Sequence, residues 1–162
     1  EDHAILEVMT HGTRQHAVDA YQESLQMKGD IEAGKKVYIE NCSKCHMLQG
    51  AGFAVGPDLS TVSNAGAEKI LVNILDPNRE VNPQYMNYTI ETDDLATHSG
   101  VIASESATSI TLKRANGETD TIRRVNIENI RSENLSIMPE GWEEAINKQQ
   151  MAGLIAYLTS IK

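Results

Sequence analysis

Apolar positions recur at two different periods along this chain, and the change of period divides it. At a helical period come Ala4, Ile5, Val8 and Met9, and then Ala17, Val18, Tyr21 and Leu25, with Gly12 between the two sets. Residues 1–28 therefore read as an N-terminal helical arm or linker, solvated by default. Asp30 is placed to cap a helix bearing Ile31, Val37, Tyr38 and Ile39. Ile70, Leu71, Ile74 and Leu75 share one face of a helix over 66–76, which Asp76-Pro77 ends. Met151, Leu154, Ile155 and Leu158 follow i, i+3, i+4, i+7 and predict a last helix over about 148–160. Asn147 and Gln150 stand at capping-box spacing before it.

From Met86 the period falls to two. Tyr88, Ile90 and Thr92 alternate, as do Ser99, Val101 and Ala103, then Thr108, Ile110 and Leu112, then Thr119 and Thr121. Asn116-Gly117 is a hairpin-turn signal. Val125, Ile127 and Ile130 continue in a less regular piece. The pattern predicts a small antiparallel sheet of about four strands over about 86–131, one face packed and one wet. The chain then divides into the arm, 1–28, and a mainly helical domain, 29–162, interrupted by this β-rich insertion, α+β overall.

At 162 residues, one domain with an insertion is the expected size. Hydrophobic residues make up 40% but aromatic ones only 4%, which is thin for such a core. The net charge of −9 favours neither a nucleic-acid nor an anionic-membrane partner. A partner steered by charge would present a basic patch, although solubility accounts for the same charge. No run approaches the ~20 apolar residues of a membrane span. Glu1-Asp2-His3 opens without a basic and apolar leader, so a mature form, or a domain cut from a longer exported protein, is expected.

The chemistry concentrates at Cys42-Ser43-Lys44-Cys45-His46. Cys-x-x-Cys-His is the attachment signature of c-type haem: two thiols add across two vinyl groups, and the adjacent His supplies an iron ligand. A thioredoxin-like redox pair and half of a zinc site are the competing readings. The first wants a βαβ context and the second more cysteines, and the chain has two. A buried porphyrin would also supply the large flat body that the aromatic content lacks. His3, His11 and His16 offer a further metal or haem ligand set, against the simpler reading of a solvated arm.

Residues 29–46, from Gly29-Asp30-Ile31 through Gly34 and Tyr38 to the motif, closely resemble the N-terminal helix of class I cytochromes c. Gly56-Pro57-Asp58-Leu59 resembles that family's proximal loop, and Leu154-Ile155-Ala156-Tyr157-Leu158 its C-terminal helix. The order Asp76-Pro77-Asn78, β-rich insertion, Ser136-Ile137-Met138-Pro139-Glu140-Gly141 is most like a haem-binding domain of planctomycetes and verrucomicrobia. The cytochrome part covers about 31–75 and 132–162. Where those relatives carry an Asp-Gly turn, this chain has Asp93-Asp94-Leu95-Ala96.

The resemblance implies cytochrome c-like helices around one covalent haem c. It implies thioethers at Cys42 and Cys45, His46 as an iron ligand and the Pro57 carbonyl on its imidazole. It puts Met138 as the second iron ligand, with Met86 and His98 as rivals. Arg79 and Trp142 are candidate propionate contacts; a solvated loop residue and a core residue are the plainer readings. Gly34 and Tyr38 are implied to pack on the last helix, and Gly153 marks a close contact or a weak point there.

The function implied is one-electron transfer in the periplasm or another exported compartment, without catalysis. The partner is a redox protein or a fused dehydrogenase domain. A haem sensor or small haem enzyme with a labile sixth ligand, a docking module of a larger exported dehydrogenase, and a haem-free zinc or thiol protein remain alternatives. No chemical role is legible for the inserted sheet.

Overall fold

The computed structural model describes residues 14–162. Contacts divide the chain into two units, one drawn from Glu1–Glu40, Ser60–Arg79 and Pro139–Lys162, the other from Asn41–Leu59 and Glu80–Met138.

The first unit is helical. Its described helices are 14–20 (α1), Ile31–Val37 (α2), Ala67–Leu75 (α3) and Lys148–Ser160 (α4). Helix α2 starts where the Asp30 carboxylate accepts the N–H groups of Glu32 and Ala33, at 2.9 and 3.2 Å. Helix α4 starts on the expected capping box. The Asn147 side chain accepts the Gln150 N–H at 2.8 Å, and the Gln150 side chain accepts the Asn147 N–H at 2.9 Å. The two helices approach through glycine. A Cβ on Gly34 would lie 1.8 Å from the Gly153 carbonyl oxygen, and one on Gly153 3.0 Å from the Asp30 carbonyl oxygen. Gly153 is therefore a close contact, and packing offsets its poor helix propensity. Tyr38 packs beside this crossing on Tyr157, with centroids 6.0 Å apart and the rings tilted by 41°.

The described part of the N-terminal segment is packed, which corrects the expectation of a solvated arm. Val18, Tyr21 and Ser24 are buried. The Tyr21 hydroxyl donates to the Ile146 carbonyl at 2.6 Å, and Arg14 Nε donates to the Leu75 carbonyl at 3.0 Å. The reason is a single face carrying residues 18, 21 and 24 at near-helical spacing. His16 is exposed on the other side. His3, His11, Gly12 and the apolar set from Ala4 to Met9 lie outside the described residues.

The second unit is built on a five-stranded antiparallel sheet: Met86–Thr92 (β3), Thr97–Glu105 (β4), Ser109–Arg114 (β5), Glu118–Arg123 (β6) and Ile127–Ser136 (β7), in the order β6-β5-β4-β3-β7. A two-stranded ribbon, Met47–Leu48 (β1) and Ala51–Gly52 (β2), lies in the loop after the cysteine motif. In the large sheet, Ile90, Ile110, Leu112 and Ile122 form a buried cluster flanked by Tyr88, Ile102 and Ile127. The opposite face carries polar cross-strand pairs, such as the Thr111 and Thr121 hydroxyls 3.0 Å apart and Arg131 on Glu91 at 2.7 Å. One face is packed as expected, but the other is not wholly wet: Thr89 and Val101, which point to it, are buried.

The number of strands also differs from the expectation. The piece beginning at Ile127 is a ten-residue strand reaching Ser136, so the sheet runs over 86–136. Its alternation is blurred because two register shifts interrupt its pairing with β3, and Asn134 takes φ 55°. The architecture is α+β, four described helices with a five-stranded and a two-stranded sheet.

Candidate functional site

The chain leaves α2 through a wider, π-type turn, Tyr38–Cys42. The Cys42 carbonyl then accepts two N–H groups, from Cys45 at 3.2 Å and from His46 at 3.0 Å. That single closed turn holds both thiols and the imidazole together. The thiols are free and half-buried. Burial pushes the Cys42 thiol up to about 12 and raises that of Cys45. Among the described residues, no group of three or more His, Cys, Asp or Glu side chains is arranged to hold a metal ion.

His46 is held from one side. Its Nδ1 lies 2.7 Å from the Pro57 carbonyl oxygen. With Nδ1–H donating there, Nε2 keeps the lone pair that a metal ligand needs. Burial pushes the imidazole below its ordinary value, and the Pro57 carbonyl opposes this in part, so the neutral ring is favoured. The preceding glycine has a geometric reason. A Cβ on Gly56 would sit 2.8 Å from His46 Cε1 and 3.1 Å from Nδ1. The loop is fastened close to the ring because the Val55 and Gly56 N–H groups both bond to the Cys45 carbonyl, at 3.0 and 2.6 Å.

Met138 belongs to the same unit as His46 and follows β7 by two residues. It is half-buried, and its N–H bonds to the Ser136 hydroxyl at 3.1 Å. The Ile137 N–H bonds to the Tyr85 carbonyl at 2.9 Å. Its rivals have other partners. The Met86 sulfur accepts the Ser132 hydroxyl at 2.8 Å, and His98 Nδ1 lies 3.5 Å from the Asp120 carboxylate.

Arg79 and Trp142 belong to the helical unit. Arg79 donates from Nε to Asp76 at 2.9 Å and from a terminal nitrogen to Gln15. Trp142 Nε1 is buried without a hydrogen-bond partner among the described residues.

One feature of the site was not legible in the sequence. The tip of the β5–β6 hairpin sits on the cysteine motif. The Asn116 N–H donates to the carbonyl of Lys44, between the two cysteines, at 2.8 Å. A Cβ on Gly117 would lie 2.9 Å from Phe53 Cδ1, while the Phe53 N–H bonds to the Ser43 carbonyl at 3.1 Å. The Asn-Gly pair announces the turn, but nothing local announces what the turn touches.

The glycine cradle at His46, the two free thiols held in one closed turn and the imidazole oriented by Pro57 fit a covalently attached haem. The comparisons agree. The family model for cytochrome c matches residues 31–93, which include Cys42, Cys45, His46 and Pro57 and stop short of Met138. A cytochrome c-553-like protein of Synechocystis sp. is 32% identical over 69 residues, covering 38% of this chain and 65% of that protein, just under two thirds of its length. A cytochrome c domain implies a covalently bound c-type haem with its iron.

Proposed function

We propose, for a chain that is a class I c-type cytochrome on the match of residues 31–93 and the resemblance to its relative, that it carries single electrons on one haem held between His46 and Met138. When bound, the haem iron supplies a one-electron couple. Cys42 and Cys45 hold the group through thioethers. His46 is fixed in orientation and tautomer by Pro57, and the observation that carries the reading is the 2.7 Å contact between them. Met138 would give the iron its second protein ligand. It is supported by its half-buried place on an irregular segment and by the prior engagement of Met86 and His98. A thioether with an imidazole would give the haem a higher potential than two imidazoles and would leave no ligand position to spare.

The cytochrome c-like helices around one haem, in the domain 29–162, remain part of this reading. So does the buried donor of Trp142 as a propionate contact; Arg79 serves the turn at Asp76. The compartment is periplasmic or otherwise exported, and no helix among the described residues is long and apolar enough to cross a membrane. A redox partner protein or a fused dehydrogenase domain supplies and takes the electron, and the net charge of −9 favours a basic docking patch on it.

The test is expression with a haem-maturation system and visible spectra in both oxidation states. Covalent haem is expected, with the weak far-red band of a methionine–ferric bond, lost in Met138→Ala. A band that survives Met138→Ala removes the distal assignment. Ready binding of carbon monoxide by the reduced wild type removes the closed coordination sphere.

A further inference from the structure

We infer that the inserted sheet is a positioning device for the two iron ligands, fastened at one end to the cysteine motif and at the other to the segment that presents Met138. This rests on the ligation proposed above. All the parts belong to one unit. At the first end, the Asn116 N–H holds the Lys44 carbonyl at 2.8 Å, inside the five residues that carry both thiols and His46. Gly117 leaves room there for the Phe53 ring, which a Cβ would meet at 2.9 Å. At the other end, β7 pairs Ser136 with Met86 on β3, the Ile137 N–H holds the Tyr85 carbonyl at 2.9 Å, and the Ser132 hydroxyl holds the Met86 sulfur at 2.8 Å.

Between the ends run four ladders of hydrogen-bonded pairs, β6 to β5, β5 to β4, β4 to β3 and β3 to β7, over a common apolar cluster. A hydrogen-bonded sheet strains little along its ladders, and it is bonded directly to both segments, at Lys44 through Asn116 and at Met86 through Ser136. The sheet therefore sets where Met138 sits relative to the His46 loop. Asn116, Gly117 and Phe53 are positioning residues acting through Lys44 and its neighbours.

The consequence is a coupling between residues near the thioethers and the sulfur ligand. In the holoprotein, an added ligand such as imidazole binds ferric iron only after Met138 leaves. Gly117→Ala places a methyl against Phe53 at a backbone of φ +69°. That conformation is strained for an L residue and the methyl pushes on the ring, so the tip loosens and imidazole binding should speed up about tenfold. Phe53→Ala removes the seat of the tip and should speed it in the same direction. The double variant should show less than the product of the two, because the clash that one creates is relieved by the other. Amide exchange at Asn116 should rise in both single variants.

Ile155→Val, a buried substitution in the helical unit that lowers stability, serves as the control and should leave the imidazole rate within about twofold. Unchanged imidazole rates in both Gly117→Ala and Phe53→Ala overturn the inference, with the ligation intact if Met138→Ala still abolishes the far-red band. An equal acceleration by Ile155→Val also overturns it, since the effect is then general loosening. A band that survives Met138→Ala overturns the ligand assignment and the inference with it.

Discussion

At the scale of residues, the motif from Cys42 to His46 and the Gly56-Pro57 loop were legible because their chemistry is written in short spacings. The partner of the rival Met86 sulfur was not: the Ser132 hydroxyl lies 46 positions away and arrives beside it only through strand pairing. Leu95 shows the reverse, a local departure whose cost is visible only in the backbone. It is the third of the four residues between β3 and β4, at φ +67°, with 91% of its surface exposed. The turn is otherwise well satisfied: the Leu95 N–H reaches the Thr92 carbonyl at 3.0 Å, and Asp94 Oδ1 accepts the Ala96 N–H at 3.2 Å. A leucine there has strain and no packing to offset it. Leu95→Gly should therefore stabilise the protein by about 1 kcal/mol in denaturant unfolding, despite the added freedom of the unfolded chain. A destabilised variant would mean that the leucine side chain has a contact beyond this chain.

At the scale of elements, helices α2, α3 and α4 were readable, since each carries an apolar stripe and its own start or stop signal. Strand β7 was not readable as a strand. Ile127 and Ile130 are three apart, its two bulges break the alternation, and most of its side chains are exposed. Only the partner strand makes it a strand. The N-terminal segment was misjudged for a related reason: a helical face looks the same whether it meets water or a neighbour. Gly34 was legible as a close approach and Gly153 only as a close contact or a weak point, and the structure gives the severity of the contact. The atom facing Gly34 is a backbone carbonyl oxygen, 1.8 Å from where a Cβ would stand, and it cannot rotate away. Gly34→Ala should cost about 3 kcal/mol or more in thermal or denaturant unfolding of the holoprotein, at the upper end of overpacking effects, despite alanine's better helix propensity. A cost near zero would show that the two helices separate easily.

At the scale of the whole molecule, each unit is assembled from stretches distant in sequence, and the helical one depends on contacts among its three pieces. Arg14 joins all three. It donates from Nε to the Leu75 carbonyl at the end of α3, and it pairs through two nitrogens with the Glu143 carboxylate at 2.7 and 2.9 Å. Both side chains are largely withdrawn from water, 13% and 25% exposed, so the pair is stronger than a surface salt bridge. The hydrogen bond from Arg14 holds the Glu143 carboxyl below its ordinary value of 4.5, against an opposing push from burial. A carboxylate whose value is lowered by folding adds stability that is fully present above its unfolded value and is lost as the pH falls through its folded value. Glu143→Gln should then be less stable than the wild type by about 1 kcal/mol at neutral pH, since the neutral amide keeps a weaker bond to Arg14. The gap should stay constant down to about pH 5 and close progressively below the unfolded value of 4.5. Unfolding midpoints of the two proteins, measured in denaturant from pH 3 to pH 7, test it. A gap that is absent at neutral pH, or that widens on the acid side, would mean that the unit is held together without this pair.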